Sequence, residues 1–146
     1  MFSINLEYPT FAEEVEVVKS TTSDIQQKVN AIFSSDDIIA IQKLIRKIPV
    51  TDNVIEYAVT LVGKTRPKSK EATDMVKSYL DWGAGPRASQ SLILGAKAHA
   101  AVRGKYSPDI EDVRAVAIPI LSHRIVKNYK AEAEGISISD IINSLL

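Results

Sequence analysis

Two short stretches of the chain carry residue types that could hold a phosphate. The first, "AVTLVGKT" at residues 58–65, fits the loose form of the phosphate-loop pattern: a small residue, four of any kind, then Gly-Lys-Thr. Such a loop works by turning successive backbone N–H groups inward around an anion, and glycines supply the dihedrals this needs. Here the four middle residues are Val59, Thr60, Leu61 and Val62, of which three are β-branched and none favours positive φ. They continue an apolar stripe that begins at Val54, and Pro67 soon after disfavours a helix starting at Lys64-Thr65. The stretch reads as a helix that ends at Gly63 as its C-cap, with Lys64 near the negative end of the helix dipole.

The second stretch, "WGAGPRAS" at residues 82–89, has a stronger claim. Gly83 and Gly85 let backbone come close to whatever lies above a helix N-terminus, Pro86 suits the first helical turn, and Arg87 falls inside it. Free N–H groups, a partial positive charge and a guanidinium together make an anion site. From the residues alone, Gly-x-Gly-Pro is equally an ordinary tight turn, with Arg87 capping or pairing with an acid.

The remaining chemistry-bearing residues group less well. His99 and His123 are far apart in sequence and make no metal site by themselves. His99 reads as structural or exposed within an alanine-rich helix. His123 and Arg124, in "LSHRI", read as a helix end facing the bundle or a carbonyl, the other reading being contact with a neighbouring domain or subunit. Asp36, Asp37, Glu111 and Asp112 are early-turn acids that complement helix dipoles. With no cysteine, disulfides, thiolate zinc sites and cysteine nucleophiles are excluded, and a cytoplasmic setting is expected.

These residues need a scaffold, and 146 residues suit one domain or a small domain with an appendage. At 45% hydrophobic and 25% charged the chain can form a true core. Eighteen basic residues balance eighteen acidic ones, which argues against a dedicated nucleic-acid or anionic-membrane binder. No apolar run approaches the roughly 20 residues of a membrane helix, and "MFSINLEYPT" is not a signal peptide.

"FSINLEY" alternates Phe2, Ile4 and Leu6 with polar residues, a period of two that predicts a strand ended by Pro9. Thr10 and Glu13 form a capping box that opens a helix to about Ser20. "STTSDIQQKVN" reads as a linker or a frayed extension of the first helix. From "SSDDIIAIQKLIRKI" onward the spacing is helical, with Ile38, Ile41, Leu44, Ile45 and Ile48 on one face. Thr51 caps the next helix, where Val54, Ile55, Ala58, Val59 and Val62 share a face. "MVKSYLDW" predicts a short helix ending at Gly83. A longer helix then runs from Pro86 to Gly104, and another opens with Ser107 as N-cap and Pro108 at its first position. Pro119 should kink or end that helix, and "ISISDIINSLL" is a last amphipathic one. The fold class expected is mainly α: a bundle of five or six helices preceded by one strand and one helix.

"WGAGPRASQSLILGAKAHA" and "SPDIEDVRAVAIPILSHRIVKNYKAEAEG" resemble the C-terminal part of a MoxR-type AAA+ ATPase. "IPVTDNVIEYAVTLVGKTRP" and "DIINSLL" fit the family's order, and the likeness spans nearly the whole chain. In that family a Gly-x-x-Pro-Arg-Ala segment opens the lid helix and carries the sensor-2 arginine, here Arg87. The family form often has serine before the proline, where this chain has Gly85. Arg66 matches a second recurrent arginine; its other reading is a surface or interhelix ion pair.

The resemblance implies that residues 1–22 are the C-terminal edge of the AAA+ core, 23–34 a linker and 35–146 a helical lid. It implies ATP and Mg²⁺ in a full-length parent, met by Arg87 with Gly85, Pro86 and Arg66. It also implies a ring of subunits, a hexamer by family, and a client protein remodelled in a chaperone-like way. A glycine-rich loop on a strand, paired acids for magnesium and a sensor-1 strand end are missing from this sequence, so the resemblance implies that they lie upstream. This chain alone is then expected to bind no cofactor and not to hydrolyse ATP. The competing expectation is a free-standing helical protein- or DNA-binding module. Against DNA, the candidate recognition helix begins with Asp109, Glu111 and Asp112, which would repel phosphates.

Overall fold

Helix-forming spacing over most of the chain becomes a mainly helical molecule, as the sequence predicts. The computed structural model describes residues 2–24 and 30–146. Among them are nine helices: α1 (Phe11–Thr22), α2 (Ser35–Lys47), α3 (Asp52–Lys64), α4 (Asp74–Tyr79), α5 (Pro86–Val102), α6 (Ile110–Ala115), α7 (Ala117–Leu121), α8 (Tyr129–Ala133) and α9 (Ile138–Asn143). Two short strands, β1 (Leu80–Trp82) and β2 (Val126–Lys127), pair antiparallel. Part of the "STTSDIQQKVN" linker lies outside the described residues.

The bundle is assembled around α5. Its buried positions are Ala88, Leu92, Gly95, Ala96 and Ala100, a helical stripe that is small everywhere except Leu92. Small side chains let neighbouring helices approach closely, and α5 packs against α2, α3, α6 and α7. At Gly95 an added Cβ would lie 2.8 Å from Ile120 Cδ1. Val54, Ala58, Leu61 and Val62 of α3, Val113 of α6, Ile120 and Leu121 of α7, and Ile141 and Ile142 of α9 complete the core. The proposed face of α3 is thus corrected. Leu61 is inside, while Ile55 and Val59 stay outside and line a groove of about 580 Å³ with Arg46, Ile93 and Leu94.

Chain ends follow local chemistry. Thr10 with Glu13 and Ser34 with Asp37 form reciprocal capping boxes. Helix α5 ends in a Schellman motif: Gly104 at φ 73° donates to Ala101 O, and Lys105 donates to Ala100 O. The cap of α6 is Asp109, not Ser107, because Asp112 returns the bond to the Asp109 N–H at 2.9 Å. Ser107 instead donates to Pro49 O. The break expected near Pro119 occurs at Val116, where α6 gives way to α7. The helix expected to run to Gly83 stops at Tyr79. Residues 80–82 pair with β2, a ladder too short to leave a periodic signal, and Asn128 extends it by donating to Tyr79 O.

The N-terminal segment forms no strand. Residues 2–10 find no strand to pair with among the described residues; Ser3 N–H donates to Pro119 O at 2.7 Å, and Phe2 reaches toward Gly95. An alternating pattern specifies a face, but a ladder needs a neighbour. Helix α1 buries nothing, and Phe11 is 84% exposed. The predicted stripe of α2 is likewise uncovered at Ile38, Ile41 and Leu44.

One buried polar cluster ties α5 to α6. Asp112 is 1% exposed and accepts from the His99 ring at 2.7 Å and from Lys105 Nζ at 3.0 Å. A carboxylate only accepts, so His99 Nδ1 carries the proton. His99 is therefore structural, one of the two readings the sequence left open. Burial pushes the Asp112 carboxyl up, but the Asp109 N–H, His99 and Lys105 outweigh it and hold the pKa at about 2, below the ordinary 3.8. Because the folded value is depressed, the stabilisation is full above the unfolded value and is lost as pH falls toward 2. We predict a loss of about 2 kcal/mol from this group between pH 5 and pH 2. Denaturant midpoints measured against pH should fall less steeply for Asp112→Asn, and an identical slope would count against the assignment.

Candidate functional site

The two stretches singled out in the sequence meet in space. Helix α3 runs one residue past Gly63, to Lys64, so Gly63 is not the C-cap; Thr65 is. Residues 58–64 are helix, with Ala58, Leu61 and Val62 in the core, a geometry that cannot cradle a phosphate with inward N–H groups.

Thr65 is fully buried and uses its hydroxyl twice. It donates to Val62 O at 2.7 Å, finishing the helix, and accepts from Ala84 N–H at 2.9 Å. The neighbouring Arg66 donates from Nε to Ala84 O at 3.0 Å. Ala84, itself buried, is thus held by both its N–H and its C=O. Such closeness requires Gly83 to lack a side chain. A Cβ there would fall 2.4 Å from Thr65 O and 2.6 Å from Arg66 Cα, backbone atoms that cannot swing away.

Gly85 differs. It is the N-cap of α5 at φ −89°, ψ 179°, extended backbone open to any residue, and a Cβ there meets nothing within 4 Å. Pro86 occupies the first helical position without costing a hydrogen bond, and Ala88 N–H donates to Gly85 O at 2.9 Å. Arg87 follows Pro86. Its side chain is exposed and makes no hydrogen bond or ion pair among the described residues.

Gly85, Pro86 and Arg87 therefore stand at the start of the longest helix, and Arg66 is fastened to the same turn through Ala84. The ion-pair reading of Arg66 gives way to a bond with a carbonyl. Arg124 is drawn away to Ser91 Oγ at 3.2 Å, and its buried Nε has no partner. His123 is exposed rather than facing the bundle, beside Ser3 and Asn5. Among the described residues no cluster could hold a metal ion, and no helix is long and apolar enough to cross a membrane. Sequence reasoning missed Thr65, whose only signal was the threonine of the false phosphate loop.

Residues 72–145 match the AAA lid domain. The whole chain is 34% identical to the chaperone MoxR1 of Mycobacterium tuberculosis, covering 38% of that protein. It is 25% identical to the uncharacterized protein YeaC of Bacillus subtilis, covering 43% of it. A crystal structure of a candidate ATPase from Cytophaga hutchinsonii superimposes with a TM-score of 0.83 at 34% identity, over 99% of this chain and 44% of the other. The chain spans less than half the length of each of these relatives.

The unequal glycines give a direct check. Gly83→Ala should destabilise the bundle by about 1–3 kcal/mol, since overpacking against backbone must move one chain segment. Gly85→Ser should be neutral or gain a few tenths of a kcal/mol, about the difference between glycine and serine at an N-cap. Thermal melts of both variants decide this, and equal midpoints would refute the contact at Gly83.

Proposed function

The chain belongs to the AAA lid domain family, in its MoxR-type form, and from that premise we propose that it is the nucleotide-sensing lid of an AAA+ ATPase. One observation carries the reading: Arg87 leaves the first turn of α5 exposed and unpaired among the described residues, from a turn held on both sides. An arginine in such a place fits a polyphosphate. Its guanidinium stays charged, offers a fork of donors, and is joined by the positive end of a 17-residue helix.

In this reading residues 1–22 belong to the edge of the ATPase core, 23–34 link it to the lid, and 35–146 are the lid. The bare apolar surface of α1 and the uncovered face of α2 suit elements that pack on a core supplied from outside this segment. The core would bring the phosphate cradle and Mg²⁺; ATP bound there supplies the bond that is hydrolysed. Arg87, with Gly85 and Pro86 setting its backbone, would contact the terminal phosphate, and Arg66 would add positive charge beside the turn. Loss of that phosphate removes a charge-assisted contact and frees the lid to turn, the motion by which a ring of such subunits would remodel a client protein. A cytoplasmic location suits this role. The DNA-binding alternative is disfavoured by the exposed acids Asp109 and Glu111 at the head of α6.

In the protein that carries this chain with its ATPase core, Arg87→Ala should lower ATP turnover by at least about tenfold. Nucleotide binding, followed by titration with a fluorescent analogue, should weaken far less. Turnover equal to the parent's would remove Arg87 from the site.

A further inference from the structure

We propose that Thr65 is a positioning residue for Arg87, with Arg66 as its second grip, so that the end of α3 sets the direction in which Arg87 leaves the bundle. The proposal rests on the reading of Arg87 given above and extends it to the two residues that hold its turn.

Ala84 lies three residues before Arg87, and both of its backbone polar groups are taken by consecutive residues of α3's end. Thr65 Oγ accepts from the Ala84 N–H while anchored to Val62 O in the last turn of α3. Arg66 Nε holds the Ala84 carbonyl, and Gly83 lies flat on the Thr65–Arg66 backbone. From Ala84 to Arg87 the only intervening residues are Gly85 and Pro86. Pro86 has a fixed φ, and Gly85 is already committed as the N-cap that accepts from Ala88. Rotation of the turn would have to break two hydrogen bonds made by α3 or lift Gly83 off its backbone. A displacement at the end of α3 is therefore delivered to Arg87 rather than absorbed by the turn. This matters because a misplacement of about 1 Å can cost on the order of 100-fold in rate.

Thr65→Val keeps the shape but removes the acceptor for Ala84 and the donor to Val62, whereas Thr65→Ser keeps both. Two measurements test the proposal. In the 146-residue chain, Thr65→Val should speed hydrogen exchange at the Ala88 amide by about tenfold, and Thr65→Ser should not. Ala88 is the useful probe because its own bond, to Gly85, is untouched by the substitution. Should Thr65→Val fail to fold, the exposed Arg66→Ala removes the other grip and should speed the same amide. An Ala88 amide unmoved by loss of a grip overturns the proposal.

In the ATPase-competent protein, Thr65→Val should lower kcat by about tenfold with KM for ATP within about twofold, and Thr65→Ser should restore it. Added to Arg87→Ala, Thr65→Val should cost nothing further, because the two act through one side chain. If Thr65→Val is as damaging with Ala at position 87 as with Arg, it acts elsewhere and the proposal fails. The Arg87→Ala variant alone reports on the sensing role, so failure of that reading is distinguishable from failure of the clamp.

Discussion

Two stretches of backbone touch where Gly83 crosses Thr65 and Arg66, and the placement of α5 depends on that contact. A Cβ at Gly83 would sit 2.4 Å from the Thr65 carbonyl oxygen, well inside any tolerable approach. Removing one methyl's worth of volume brings the chain close enough for Thr65 and Arg66 to reach Ala84. The burial of these groups makes the bonds consequential. A hydrogen bond in water contributes little net, but an unpaired N–H or carbonyl in the interior costs about 1–3 kcal/mol. The Ala84 N–H donates to the Thr65 hydroxyl, which in turn donates to Val62 O, so the geometry they adopt is narrowly defined.

The opposite end of α5 is fixed by different means. There a Schellman turn at Gly104 reverses the chain, and Asp112 gathers His99 and Lys105 under the head of α6. A buried acid with three kinds of donor is strongly bound when all are present and costly when one is lost. Between these two anchors the stripe of Ala88, Gly95, Ala96 and Ala100 lets α3, α6 and α7 close around the helix. Helix α5 is thus held at both ends by polar contacts and along its length by close packing. Arg87, at its exposed tip, inherits a fixed root and a side chain without a partner among the described residues.

Helix patterns, the first capping box and the last amphipathic segment were legible because each is a local property, while the caps expected at Ser107 and Gly63 fall instead at Asp109 and Thr65. The Thr10 capping box depends on residues three apart, and the C-terminal glycine at position 104 on one dihedral. Contacts between distant segments were not legible. The β1–β2 ladder joins residues 80–82 to 126–127, and nothing in either segment announces a partner some 45 residues away. The N-terminal segment errs the other way: its alternation of Phe2, Ile4 and Leu6 is genuine, but the described chain offers no strand beside it. The geometry of the candidate site was half legible. Arg87 stood out by its neighbours Gly85 and Pro86, while Thr65 was hidden in a motif that promised different chemistry.

That hidden threonine changes how the two arginines compare. Both are exposed, and both carry a full charge at neutral pH. Arg66 spends Nε on a carbonyl of its own chain, which fixes the middle of its side chain and ties its charge to the turn. Among the described residues Arg87 makes no such commitment, which leaves its fork for an external oxyanion. A sensor must release its ligand as well as bind it. A guanidinium already satisfied within the bundle would gain little from a phosphate and lose little on its departure. In the proposed role an unsatisfied one would register the difference, provided its backbone does not wander, and the backbone is what Thr65, Arg66 and Gly83 hold.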